Sequence, residues 1–175
     1  MAENWVVTTD IERDAERESD KETFDTLIRG VGRHDADRMF LLHAAAAWGH
    51  APGIVFLLEM GADVTTLDSD GSSPLHVATS HAEVDVMKLL LGAGASVNAK
   101  NQHGDTSLHL ACTRQQALRK WNERYGTGSS VPRVPTEVEE EVVRTLLDAN
   151  ADECANNTAG WSPLDQAKAT LNPSP

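Results

Sequence analysis

The chain has 175 residues, of which 40% are apolar and only 5% aromatic, with a formal net charge of −12. That length supports one domain with a real core, the acid excess argues against nucleic-acid binding, which relies on Lys and Arg at phosphates, and no apolar run reaches the roughly 20 residues of a membrane-spanning helix. Cys112 and Cys154 are too few for a disulfide framework, so a soluble intracellular protein, cytoplasmic or nuclear, is expected.

In chain order, residues 1–20 carry acids and little core-forming material and read as a flexible tail. Residues 21–37 read as a degenerate capping helix, with Phe24, Leu27 and Ile28 toward the rest of the chain. A ruler then begins. "MFLLHAAAAWGH" from Met39, "SSPLHVATSHAE" from Ser72 and "DTSLHLACTRQQ" from Asp105 align so that Leu42-His43, Leu75-His76 and Leu108-His109 fall 33 residues apart. "FLLEMGADV" at Phe56 and "LLLGAGASV" at Leu89 keep that spacing, whereas "TLLDANADE" at Thr145 comes 56 residues after its predecessor. The 23 extra residues fall between Arg114 and Val138. Repeats at about 38–70, 71–103 and 104–159 follow, with the insertion at 115–137, a half-repeat at 160–171 and a tail at 172–175.

Local chemistry supports the same units. Gly71, Gly104 and Gly160 open the copies where a tight turn needs positive φ. Ser73, Thr106 and Ser162 are predicted N-caps, and Pro74 and Pro163 stand at the first helical position. Ala-rich inner helices are followed by outer helices rich in Ile, Val and Leu, ended by Gly61, Gly94 and Asn150. The last helix is expected to turn Leu164 and Ala167 inward and its polar residues to water.

The period and the S/T-P-L-H-x-A-like openings, over about Arg38 to Leu171, resemble the ankyrin repeat family. The resemblance implies an all-α repeat solenoid of antiparallel helix pairs with short β-hairpin fingers, here with a 23-residue helical insertion in the third repeat. It also implies that His43, His76 and His109 are structural, each bonding the Ser or Thr and backbone of its own turn. The "SVNAKN" finger resembles hairpins that an asparaginyl hydroxylase modifies at the position of Asn98, although Ser96 stands where that pattern prefers Asp.

Chemistry beyond structure is sparse. Helices packed roughly 8–10 Å apart keep histidines of successive layers from sharing one ion at about 2.0–2.1 Å, so no metal site is expected. Cys112 sits at an Ala position of an inner helix and reads as buried and inert. Glu137, Glu139, Glu140 and Glu141 read as a solvated helix start favoured by the helix dipole. No nucleophile, base or phosphate loop converges, and neither catalytic residues nor a cofactor are expected.

Recognition of a protein partner is the reading that remains, and the resemblance implies it. Candidate contacts are the inner-helix column Trp48, His81 and Arg114, the residues Met39 and Trp161 after the opening turn, and the finger positions Leu67, Asp70, Lys100 and His103. Residues 114–135 hold five bases against Glu123 alone, the one basic element of an acidic chain. Within them Leu118, Trp121 and Tyr125 form a helical stripe beside Arg119, Lys120 and Arg124, a second contact for an acidic partner surface. The expected protein is a monomeric adaptor, scaffold or regulatory subunit. An inhibitor that occludes an enzyme such as a kinase is the alternative within binding proteins, and an enzyme with an unrecognised site the alternative outside them.

Overall fold

The computed structural model describes residues 35–114 and 136–169, with side chains at 38–114 and 138–166. The expected acidic tail, most of the capping helix and the insertion lie outside them. The described helices are α1 (Asp35–Ala47), α2 (Ala51–Glu59), α3 (Pro74–His81), α4 (Val84–Gly92), α5 (107–114), α6 (Thr136–Asp148) and α7 (Pro163–Ala169). Inner helices α1, α3, α5 and α7 alternate with outer helices α2, α4 and α6 to form an all-α repeat fold. α1 packs on α2 and α3, α3 on α4, α2 on α4, and α4 on α6.

The core follows the ruler. Leu42, Leu75 and Leu108 from the inner helices are fully or almost fully buried against Ile54, Leu57, Val86, Met87, Leu90, Val142 and Leu146 from the outer ones. Ala45, Ala46, Ala78 and Ala111 are buried beside them and let neighbouring inner helices approach. Each buried leucine contributes about 1.5–3 kcal/mol, so one Leu→Ala change in this column removes much of a domain's net stability.

Helix α3 shows how a repeat starts. Ser73 has φ −82° and ψ 164°, and its hydroxyl accepts the His76 N–H at 3.4 Å. His76 closes the box by accepting the Ser73 N–H on Nδ1 at 3.1 Å, and Pro74 occupies the first turn, where its missing donor costs nothing. In the last repeat Asp165 does this job: its carboxylate accepts from Ser162 N–H and Oγ–H at 3.2 and 2.7 Å.

The turn from inner to outer helix needs a left-handed residue. Gly49 supplies it at φ 67°, and the next repeat forces Ala82 into the same region at φ 59°. His50 then caps α2, buried, with Nδ1 accepting the Gly53 N–H at 2.8 Å. Asn150 takes φ 61° where Gly61 and Gly94 end the other outer helices.

The fingers differ from the expected β-hairpins, because among the described residues no strand forms. Each finger is instead a tight turn closed around one Asx residue. In the first, Asp68 exchanges backbone bonds with Ser72 and Gly71, and its Oδ1 accepts the N–H groups of Asp70 and Ser72. Asn101 and Asn157 repeat the device. A side chain that mimics the next backbone pair ends the ladder before a second pair can form. Gly104 is required twice over: φ is 72°, and a Cβ there would lie 2.7 Å from the backbone nitrogen of Thr158 in the next finger.

Candidate protein-binding surface

The three signature histidines join layers. Nε2 of His76 meets the Asp105 carbonyl at 3.1 Å and Nε2 of His109 the Trp161 carbonyl at 2.9 Å, while their Nδ1 atoms stay with Ser73 and Thr106. Nε2 of His43 likewise meets the Ser72 carbonyl at 3.0 Å. The bonds therefore reach beyond each histidine's own turn to the base of the next finger, which sequence spacing alone did not disclose. Phe40 occupies the place of Ser73 and Thr106 in the first copy, so Nδ1 of His43 turns to the Met39 carbonyl at 2.8 Å. Burial lowers the pKa of His76, outweighing the carbonyl bonds that favour its protonated form.

The finger row is stitched laterally. Gln102 N–H donates to the Asp70 carbonyl at 3.1 Å, and Thr158 N–H to the His103 carbonyl at 3.0 Å. Lys100 Nζ donates to the Asn156 carbonyl at 2.7 Å, and Asn98 spans to the third repeat by accepting Asp152 N–H at 2.8 Å and donating to the Asn150 carbonyl at 3.3 Å. Asp70, Lys100 and His103 are exposed, and Leu67 is 49% exposed. Trp161 presents its indole, 43% exposed, while its carbonyl and N–H are engaged with His109 and Asn157.

On the inner helices Trp48 is 47% exposed, and exposed His81 bonds the Val77 carbonyl through Nδ1 at 3.0 Å. Arg114, the third member of the expected column, also makes contacts within the fold. Its Nε lies 3.6 Å from Glu139 Oε1 and its Nη1 donates to the Ser80 carbonyl, while the side chain stays 32% exposed. Glu139 corrects a second expectation: it is 6% exposed rather than part of a solvated helix start. Glu140 and Glu141 are exposed, and Glu141 pairs with Lys88 at 2.8 Å, which pulls its pKa down.

Two apolar positions depart from the sequence reading. Helix α1 begins at Asp35, upstream of the expected repeat start, so Met39 is mid-helix and half-buried while neighbouring Phe40 is 71% exposed. A phenylalanine in a cap register was the available signal. Leu164 is 51% exposed rather than inward. The insertion residues Leu118, Arg119, Lys120, Trp121, Arg124 and Tyr125 lie outside the described residues. Cys112 is half-buried, and burial pushes its thiol pKa up.

Among the described residues no three His, Cys, Asp or Glu side chains converge to hold a metal ion, and no helix is long and apolar enough to cross a membrane. No curated protein matches the chain. A family model described as ankyrin repeats (3 copies) matches residues 14–101 and 42–120, more than half of the sequence. With its helix pairs, its turn-built fingers and its histidine ladder, the chain belongs to the ankyrin repeat family.

Proposed function

We propose that this chain is a non-catalytic recognition module, a monomeric adaptor, scaffold or regulatory subunit inside the cell. One protein partner lies across its inner helices and fingers, and the basic aromatic insertion gives a second contact to an acidic surface. Ankyrin repeats generally mediate protein–protein interaction and are generally non-catalytic. The observation that carries the reading is a lateral one. Backbone bonds tie finger to finger at 3.1 and 3.0 Å, so a partner meets a surface already ordered and little freedom is lost on association. Exposed Trp48 and Trp161 are the residue type that dominates interface energetics.

Affinity purification with the native chain, with Trp48→Ala/Trp161→Ala, and with residues 115–136 deleted tests both surfaces. Loss of a partner from the tryptophan variant supports the first contact, and loss from the deletion supports the second. Identical partner sets from all three chains overturn both.

A further inference from the structure

The ring nitrogens of the packed histidines face two kinds of partner. In His50, His76 and His109, all buried, Nδ1 accepts a backbone N–H, from Gly53 at 2.8 Å, Ser73 at 3.1 Å and Thr106 at 3.1 Å. Those contacts suit a neutral imidazole with its one proton on Nε2. His43, half-buried one repeat before His76, has no such donor. Helix α1 begins at Asp35, so the N–H of residue 40 lies inside the helix, directed at the carbonyl four residues back. Phe40 also brings no hydroxyl. Both ring nitrogens of His43 therefore meet carbonyl oxygens, Nδ1 that of Met39 at 2.8 Å and Nε2 that of Ser72 at 3.0 Å. A carbonyl only accepts, and a neutral imidazole carries a single N–H. Either neutral tautomer leaves one nitrogen lone pair against an oxygen lone pair, whereas the imidazolium donates to both.

We propose that a second proton on His43 is a latch between the first two repeats. The bond from Nε2 to the Ser72 carbonyl is the first rung of the histidine ladder, and the doubly protonated ring holds it with no repulsive contact at Met39. The first finger supplies a matching charge. Asp68 Oδ1 accepts the Ser72 N–H at 2.8 Å and the Asp68 N–H donates to the Ser72 carbonyl at 2.9 Å, so a carboxylate is bonded to the residue that His43 reaches. Asp70, next on that finger, is exposed. On α1 itself Arg38 is directed to the Met60 carbonyl at 3.0 Å. On α2 His50 is turned to Gly53 and Glu59 is exposed. On α3 His76 and His81 are turned to the Asp105 and Val77 carbonyls, and Glu83 after it lies beside Gly49 at the far end of α1. The folded chain then takes up the His43 proton ahead of the unfolded chain. The contribution is fully present below about 6.5, the ordinary imidazole value, and is lost as pH rises above it. His76, whose protonation burial opposes, responds in the other direction.

Long-range ¹H–¹⁵N spectra of the uniformly ¹⁵N-labelled full chain, titrated across neutral pH, read the protonation of each ring nitrogen directly. The two-proton form of His43 is expected to persist to higher pH in the folded chain than in the same chain unfolded in urea, and that of His76 to disappear at lower pH. As His43 loses its proton, the Asp68 amide, bonded to the same Ser72 carbonyl, shifts with the same midpoint. His43→Gln makes the acid-side fall in melting temperature steeper than in the native chain, the opposite of His76→Gln. Loss of the His43 proton at or below the pH seen in urea overturns the doubly protonated ring. An Asp68 amide indifferent to that step overturns the latch between repeats, and so does a His43→Gln slope equal to the native one. The spectra use the native chain alone, so they decide the matter even if the variant does not fold.

Discussion

Arg114 and Glu139 meet 3.6 Å apart, one just before the long insertion and the other just after it. Glu139 is almost fully buried and Arg114 also reaches the Ser80 carbonyl of the preceding repeat. The pair holds together two chain segments that a tight turn joins in the first two repeats. Removing the guanidinium leaves a buried carboxylate without its cation. Because the arginine is partly exposed and Glu139 has further interactions, Arg114→Met is expected to cost about 1–3 kcal/mol, below the full cost of breaking a buried pair. Urea unfolding of Arg114→Met, Glu139→Gln and the double variant measures the coupling, and additive losses would show that the two side chains do not interact.

The αL turns predict opposite signs for two substitutions. Ala82 holds φ 59° at a cost of about 1–2 kcal/mol for an L-residue. Ala82→Gly relieves that strain, loses a half-buried methyl and adds chain entropy to the unfolded state, for a net gain of about 0.5–1 kcal/mol. Gly49→Ala adds the strain and sets a Cβ against the Glu83 carboxylate, so a loss of about 1–2 kcal/mol is expected. Thermal melts of both variants check the signs. A destabilised Ala82→Gly would mean that the methyl's packing outweighs its backbone strain.

His76 makes stability depend on pH. Its folded pKa lies below the ordinary 6.5, first because it is buried. Protonation also sets a second donor against the Ser73 N–H and hydroxyl that Nδ1 now accepts. The unfolded chain therefore binds the proton first. The contribution is fully present above about 6.5 and is lost as pH falls through the lower folded value. The melting temperature should decline from pH 7.5 toward 5.5, with a shallower decline in His76→Gln. Equal slopes in the two proteins would remove His76 as the cause.

The two thiols should differ in reactivity. Cys112 is half-buried with its pKa raised by burial, and Cys154 is exposed on the third finger segment. Iodoacetamide at pH 7.5 should label Cys154 at least about tenfold faster than Cys112 in the folded chain, and denaturant should abolish the difference. Peptide mapping over time reads both sites, and equal native rates would contradict the placement of Cys112.

What the sequence determined by itself is the local part of each repeat. Ser73 and Pro74 start a helix, Gly71 and Gly104 take positive φ, and Asn150 replaces a glycine, because each conformation depends on residues within a few positions of itself. The 33-residue register then told which leucines share a layer. The turn-built fingers were half legible: the glycines were read, whereas the Asx residues Asp68, Asn101 and Asn157 that stop strand pairing were not. Tertiary structure alone decided which chemically ordinary residues are spent and which are left over. His76 reaches a carbonyl 29 positions away, Lys100 one 56 positions away, and Arg114 pairs with a carboxylate beyond the insertion. Leu164 carries the same signature as Leu75, yet one is half exposed and the other buried. Burial belongs to the neighbouring layer and not to the residue, so a motif repeated faithfully along a chain changes its meaning with what packs beside it.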